Sequence, residues 1–134
     1  MSETHGTVLW SELMTRDVAG AKAYYEAICG WQVSAMEMPE GGTYHLGNVG
    51  GAPVAGIMDM TDMPGLEQVP AHWVTYLAVD DVDAAVARTR EIGGAVHQDP
   101  FDVAGVGRIA MVADPTGAVV GLMTPAAPVA PAGT

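Results

Sequence analysis

The 134-residue sequence is poor in several features that mark particular classes of protein. Its single cysteine, Cys29, excludes an intrachain disulfide and favours a reducing compartment. It has no run of about 18 apolar residues, so no transmembrane helix is predicted. Its first ten residues lack a basic segment followed by an apolar one, so no secretory signal is expected there. These absences predict a cytoplasmic protein that does not insert into a membrane.

Basic residues are also scarce. Five lysines and arginines stand against 16 aspartates and glutamates, which gives a formal net charge of −11. A surface of this charge repels phosphate backbones, and no basic stripe offsets the repulsion, so nucleic-acid binding is not expected. The same charge would attract a cationic ligand at long range, or it serves solubility alone.

Hydrophobic residues make up 49% of the chain, which is enough for a buried core, and the length fits one domain. Within it, WSELMTRDVAGAKAYYEAICGW resembles the later segment WVTYLAVDDVDAAVARTREIGG. A shift of 63 positions pairs Trp10 with Trp73 and Asp17 with Asp80 without a gap. Near the ends of the two halves, VAGIM matches VVGLM at a shift of 65. The sequence therefore predicts an internal repeat.

Each repeated segment carries the signals of a strand followed by a capped helix. In the first, Asp17 is a suitable N-cap, apolar residues follow at helical spacing, and Gly30 ends the helix. In the second, Asp80 or Asp81 caps a helix that ends at Gly93. Three further strands are predicted in each half, and in the second half an Asp-Pro-Thr-Gly turn precedes the last strand. The expected fold is α+β, with two tandem β-α-β-β-β modules.

A four-stranded half cannot cover both of its own faces. Two halves side by side are therefore expected to form a curved mixed sheet around a cavity, which suits a ligand pocket. The expected single domain, 1–134, comprises a first module at about 6–60, a connector at 61–71, a second module at about 72–124 and a flexible Pro/Ala-rich tail at 125–134.

These segments, together with VGRIAMVADPTGAVVGLM, resemble the vicinal oxygen chelate superfamily. That superfamily groups glyoxalase I, extradiol dioxygenases, and fosfomycin and bleomycin resistance proteins. The resemblance spans about residues 6–124, and the Asp-Pro-x-Gly turn before a short strand is a frequent marker of the superfamily. It implies the glyoxalase/bleomycin resistance-like fold.

Metal-using members of the superfamily hold a divalent ion with histidine and glutamate at four positions, on the first and last strand of each half. The resemblance places these positions on Trp10, Gly56, Gly121 and either Trp73 or Val74. None of these residues is a metal ligand, because glycine has no side chain and tryptophan does not coordinate. We therefore expect neither a metal nor another cofactor.

Residues two apart on a strand share a face, so Glu12 is expected to line the cavity if Trp10 does. On the matching strand two sets remain open, and the repeat favours the first: Trp73, Thr75 and Leu77, or His72, Val74 and Tyr76. The candidate ligand-binding residues are Trp10, Glu12, His45, His72, Tyr76 and Arg108.

The candidate catalytic pair is Glu12 with His72, since a carboxylate beside an imidazole can act as base and acid. Structural roles are the alternatives. Glu12 would then pair with Arg108, and His72 would be a surface or hydrogen-bonded residue. Arg108 itself either clamps an anion or ties down its loop.

Two functions are consistent with these features. The first is a metal-free protein that sequesters a small molecule, a drug or a metabolite, as the resemblance to the bleomycin resistance branch implies, together with a homodimer. The alternative is a glyoxalase- or dioxygenase-like enzyme. Its site would be a relocated metal site built from Glu12, His45 and His72, or a metal-independent acid–base site using Glu12.

Overall fold

The computed structural model describes residues 2–38, 41–103 and 105–126. Two successive parts of the chain each contain a strand, a helix and three further strands, which confirms the predicted α+β fold with tandem β-α-β-β-β modules. The first module contains β1 (Val8–Thr15), α1 (Val18–Cys29), β2 (Gln32–Glu37), β3 (Thr43–Val49) and β4 (Ala52–Asp59). The second contains β5 (His72–Ala78), α2 (Val82–Glu91), β6 (Ala95–Val103), β7 (Gly107–Ala113) and β8 (Val119–Pro125).

The chain divides into two compact units. In the first, residues 10–75, the strand order is β2-β3-β4-β1, with β1 parallel to β4 and the other neighbours antiparallel. The second unit contains the described residues before 10 and after 75. Its strand order is β5-β8-β7-β6, with β5 parallel to β8 and the other neighbours antiparallel. The two modules thus repeat one topology.

Helix α1 begins and ends where the sequence predicts. The side chain of Asp17 accepts a hydrogen bond from the backbone N–H of Gly20 at 2.8 Å, which satisfies one donor at the start of the helix. Gly30 ends the helix in a left-handed conformation with φ of 70°. Its backbone N–H donates to the carbonyl of Glu26, as in a common glycine stop.

Helix α2 settles the open choice between the two aspartates. Asp81 is the cap, because its carboxylate accepts the backbone N–H three residues further on at 3.1 Å. Asp80 instead accepts hydrogen bonds from the backbone N–H and the hydroxyl of Ser2. The shift between the modules at the caps is therefore 64 positions rather than 63. Val74, not Trp73, corresponds to Trp10.

Aromatic side chains hold α1 in the first unit. Tyr25 of α1 stacks on Trp31 with ring centroids 5.0 Å apart and meets Trp73 edge-on at 5.6 Å. The indole N–H of Trp73 also donates to the Tyr25 hydroxyl at 3.2 Å. Trp73 therefore lies on the helix-facing side of β5, and the set that the repeat favoured for the cavity was wrong.

The second unit has an aliphatic core between α2 and its strands. Five buried residues form this core: Val82, Val86, Ala110, Val112 and Leu122. Leu77 of β5 packs against it and is therefore on the helix-facing side, like Trp73. Neither described helix is long and apolar enough to cross a membrane. The predicted tail begins inside β8, which runs to Pro125, and its residues 127–134 lie outside the described part of the chain.

Replacing Asp17 or Asp81 by alanine is expected to lower the free energy of unfolding by about 1 kcal/mol, because each change removes the acceptor of a helix-start N–H. Urea denaturation followed by circular dichroism measures the effect. Asparagine at the same position is the matched control, since its carbonyl oxygen still accepts the bond. Equal losses for alanine and asparagine would contradict capping by hydrogen bonding.

Candidate functional site

A buried carboxylate in the first unit is hydrogen-bonded to one aromatic side chain, which is in turn hydrogen-bonded to a second. The hydroxyl of Tyr44 donates to Oε2 of Glu12 at 2.8 Å. The same hydroxyl lies 3.0 Å from Nε1 of Trp10, and an indole nitrogen can only donate, so Tyr44 accepts this second bond. Glu12 is 8% exposed. A burial of this kind requires hydrogen-bond partners, and Tyr44 supplies one.

Strand register brings these residues onto one face. Glu12 on β1 lies opposite Gly56 on β4, and Leu46 on β3 lies opposite the same glycine. Side chains two apart on a strand share a face, so Trp10 lies on the same face as Glu12, and Tyr44 lies on the same face as Leu46. Strand alternation in the sequence predicts Trp10 and Glu12 on this face but does not reveal Tyr44. Its role becomes visible only when the pairing of β3 with β4 is known.

Gly56 makes room for this arrangement. A Cβ atom at this position would lie 1.6 Å from the Tyr44 hydroxyl oxygen and 3.0 Å from Nε1 of Trp10. The first separation is far shorter than any real Cβ contact, and the second is at the lower limit of such contacts. A side chain at position 56 is therefore incompatible with the observed position of Tyr44.

The second unit repeats the device with different residues. Tyr76 of β5 lies opposite Gly121 of β8, and a Cβ atom at Gly121 would lie 2.3 Å from Cδ1 of the Tyr76 ring. Tyr76 is buried, with 8% of its surface exposed. Tyr76, a predicted ligand residue, thus occupies in the second module the strand position that Glu12 occupies in the first.

The residues do not fit the divalent metal that the superfamily resemblance implies. With the observed register, the four corresponding positions are Trp10, Gly56, Val74 and Gly121, and none supplies a metal-binding atom. Tyrosine side chains cover both glycines, so the space of a ligand side chain is filled. Across residues 2–38, 41–103 and 105–126, no three histidine, cysteine, aspartate or glutamate side chains form a group that could hold a metal ion.

His45 lies on the other face of the first sheet. Its partner across the ladder is Ile57, whereas Glu12 and Leu46 are both opposite Gly56. Strand alternation therefore turns His45 away from Glu12. The relocated metal set of Glu12, His45 and His72 does not form, because its members do not share one face.

His45 instead lines an open surface pocket of about 420 Å³ in the first unit. Asp59 also lines this pocket, and its carboxylate accepts hydrogen bonds from the hydroxyl and the backbone N–H of Thr61. These two bonds hold the pKa of Asp59 below its ordinary value, and the nearby His45 lowers it further. The other lining residues are Met38, Gly42, Thr43, Met58, Thr61, Asp62 and Met63.

The remaining candidates make local contacts. Nδ1 of His72 lies 2.8 Å from the carbonyl oxygen of Pro70, in the connector just before β5. Arg108 pairs with Asp83 at 2.8 Å and with Asp102 at 3.1 Å, and the bond to Asp83 is the largest cause of its raised pKa. Of the roles proposed for Arg108, tying elements together fits this geometry, since it links α2 to the β6–β7 pair.

The fold agrees with the family model of the Glyoxalase/Bleomycin resistance protein/Dioxygenase superfamily, which matches residues 7–122. The chain belongs to this superfamily. Two relatives show how far the likeness extends. This chain is 43% identical over 121 residues to "Putative glyoxylase CFP32" of Mycobacterium bovis, and the match covers 90% of this chain and 45% of the relative. It is 36% identical over 123 residues to "Anthracycline biosynthesis protein DnrV" of Streptomyces peucetius, covering 84% and 45%. The chain thus spans about half the length of the curated relatives it matches.

Solved structures with a similar fold align with nearly the whole chain. A variant of methylmalonyl-CoA epimerase from Streptomyces coelicolor aligns with a TM-score of 0.67 at 22% identity, covering 96% of this chain and 100% of the other. A hypothetical protein, BH1468 from Bacillus halodurans, aligns with a TM-score of 0.67 at 10% identity, covering 92% and 97%. At these identities the likeness supports the fold alone.

The contact of Tyr44 with Gly56 can be tested by a double-mutant cycle. Gly56→Ala is expected to lower the free energy of unfolding by about 1–3 kcal/mol, because the added methyl group overlaps Tyr44. In a Tyr44→Ala background the same change is expected to cost much less. Denaturant titration of the four proteins measures the coupling. Additive losses would contradict steric exclusion at position 56.

Proposed function

We propose that this chain binds a small organic molecule without a metal, and that Glu12 is the polar anchor of the site. The observation that carries the proposal is the buried Glu12 carboxylate, oriented by Tyr44, which in turn is oriented by Trp10. A pocket for a small molecule typically combines apolar and aromatic walls with a few fixed polar groups. The first-unit face has both components.

The chemistry of these side chains narrows the ligand class. A carboxylate accepts hydrogen bonds only, so it selects a ligand with a hydroxyl or amine donor. The indole of Trp10 and the phenol ring of Tyr44 favour a flat, largely apolar body. The net charge of −11 adds a long-range preference for a cationic group, such as an amine.

The comparisons support this ligand class. The superfamily name includes bleomycin resistance proteins, and the relative from Streptomyces peucetius is named for anthracycline biosynthesis. Anthracyclines are planar polycyclic molecules with hydroxyl groups. We extend this class to the present chain because the match to that relative covers 84% of the chain.

Binding can be measured by tryptophan fluorescence and calorimetry with a panel of planar hydroxylated and amine-bearing aromatics, anthracycline aglycones among them, in the presence of EDTA. Glu12→Gln is expected to weaken binding about 10- to 100-fold, because it replaces a charged acceptor by a neutral one. Glu26→Gln, on the exposed surface of α1, is the matched control. Loss of binding in EDTA, or equal affinities for both variants, would contradict the proposal.

A second candidate is a metal-independent acid–base enzyme. It is favoured by the 2.8 Å hydrogen bond from Tyr44 to Glu12, since a buried, oriented carboxylate is also what a general base requires. The name of the mycobacterial relative, a glyoxylase, is consistent with catalysis. In this proposal Glu12 would remove a proton beside a carbonyl group of the bound molecule.

The enzymatic alternative predicts that the protein catalyses deuterium exchange from solvent into a carbonyl compound of the binding panel. Glu12→Gln is expected to abolish exchange while the melting temperature and circular dichroism stay unchanged, because glutamine keeps the shape but cannot take a proton. Nuclear magnetic resonance follows the exchange. Exchange that persists in this variant would rule out Glu12 as the base.

We also propose the cytoplasm as the location of this chain. Cys29 is exposed and its thiol is free. An exposed free thiol is common in a reducing compartment and supports the cytoplasm as the location.

A further inference from the structure

Strands β3 and β4 separate from each other at one end of the first sheet. Their pairing extends only to His45 and Ile57, although β3 begins at Thr43 and β4 continues to Asp59. Beyond that point β3 remains paired with β2, and β4 remains paired with β1. The surface pocket of about 420 Å³ lies at this fork and is lined by residues of both strand ends, so we call it the β3–β4 cleft.

The lining of the β3–β4 cleft combines apolar and polar groups. Its half-buried members are mostly thioethers, and its exposed members carry carboxylates and hydroxyls. The volume falls within the range of roughly 300–1,000 Å³ that is common for small-molecule sites. The thioethers belong to Met38, Met58 and Met63, and the exposed polar groups belong to Thr43, Asp59, Thr61 and Asp62.

Two polar side chains of the cleft have hydrogen-bonding capacity that the protein does not use. Oδ1 of Asp59 accepts both bonds from Thr61, and within the described part of the chain Oδ2 accepts none. The half-buried imidazole of His45 likewise has no hydrogen-bond partner among the described residues. Both groups are therefore available to a molecule that enters the cleft.

The charge of the cleft favours a cation. The hydroxyl and backbone N–H of Thr61 hold the pKa of Asp59 below its ordinary value, so this carboxylate is ionised at neutral pH. Among the residues that the structure describes, no lysine or arginine lines the cleft or pairs with Asp59 or Asp62. The net charge of −11 also attracts cations and repels phosphates.

An organic cation fits this lining better than a metal ion does. A divalent metal needs several histidine, cysteine or carboxylate ligands at short distance, and no three such side chains meet in residues 2–38, 41–103 and 105–126. An ammonium group needs only hydrogen-bond acceptors, which Asp59 and His45 supply. The thioethers favour an apolar or aromatic substituent, because they are flexible and make favourable contacts with aromatic rings.

We propose that the β3–β4 cleft binds a small primary ammonium compound with an apolar or aromatic substituent. The ammonium group donates to Oδ2 of Asp59 and to a ring nitrogen of His45, while the substituent contacts the methionines. This site is separate from the one proposed around Glu12, because His45 lies on the opposite face of the sheet from Glu12. It does not depend on the function proposed above.

Nuclear magnetic resonance of the ¹⁵N-labelled protein tests this site with 2-phenylethylammonium chloride as the probe. Saturable shifts are expected at the amides of Thr43, His45 and Asp59. The neutral analogue 2-phenylethanol is expected to bind at least about 10-fold more weakly, since it lacks the charge. Added salt is expected to weaken binding of the ammonium probe but not of the alcohol.

Substitutions distinguish the cleft from the rest of the acidic surface. Asp59→Asn is expected to raise the dissociation constant of the ammonium probe about 10- to 100-fold, because asparagine still accepts from Thr61 but carries no charge. His45→Gln is expected to raise it about 5-fold. Glu26→Gln, an exposed change on α1 that removes the same charge, is the matched control and is expected to leave it unchanged.

Three results would overturn the proposal. The first is an absence of saturable shifts, and the second is an equal effect of Asp59→Asn and Glu26→Gln. The third is binding that is lost in Glu12→Gln but retained in Asp59→Asn, which would place the ammonium group in the other site. Circular dichroism checks the fold of each variant. If Asp59→Asn does not fold, His45→Gln decides, and an unchanged affinity in that variant would overturn the proposal.

Discussion

The hydroxyl of Tyr44 is the contact on which the candidate site depends. It receives the indole N–H of Trp10, donates to the buried carboxylate of Glu12, and occupies the space above Gly56. Removing any of these conditions disturbs the others: a side chain at Gly56 displaces the ring, and without the ring the carboxylate loses a partner in a buried environment. Three strands, β1, β3 and β4, must be in register for the contact to exist.

The two modules keep one topology and differ in what they place on it. In both, a tyrosine covers a glycine of the last strand, but it comes from β3 in the first module and from β5 in the second. At the position where the first module carries Glu12, the second carries Tyr76 itself. The helices differ in the same way, with an ion pair on α2 where α1 has Tyr24 and Ala27. Duplication therefore preserved the backbone, while each module acquired its own surface chemistry.

Predictions from the sequence succeeded where the cause was local. Asp17 and Gly30 act within one or two helical turns, so their chemistry alone sets the ends of α1. They failed where two segments had to be aligned. The repeat favoured the set with Trp73 over the set with Val74, and on a strand one residue is the difference between the two faces. The hypothesis of a site with both His45 and Glu12 failed for a similar reason. Pairing with Ile57 puts His45 on the opposite face from Glu12, and this pairing is not visible in the sequence.

The sequence by itself determined the α+β class, the tandem modules, the superfamily and the lack of metal-binding side chains at the superfamily positions, because each follows from residue type and spacing along the chain. Only the tertiary structure decided that Tyr44 orients Glu12, that Arg108 is paired with Asp83 and Asp102, and that α1 presents an apolar face. These features join residues as far apart as 32 positions, as Tyr44 and Glu12 are. Such contacts depend on strand register and on packing, neither of which is encoded in any short stretch of sequence.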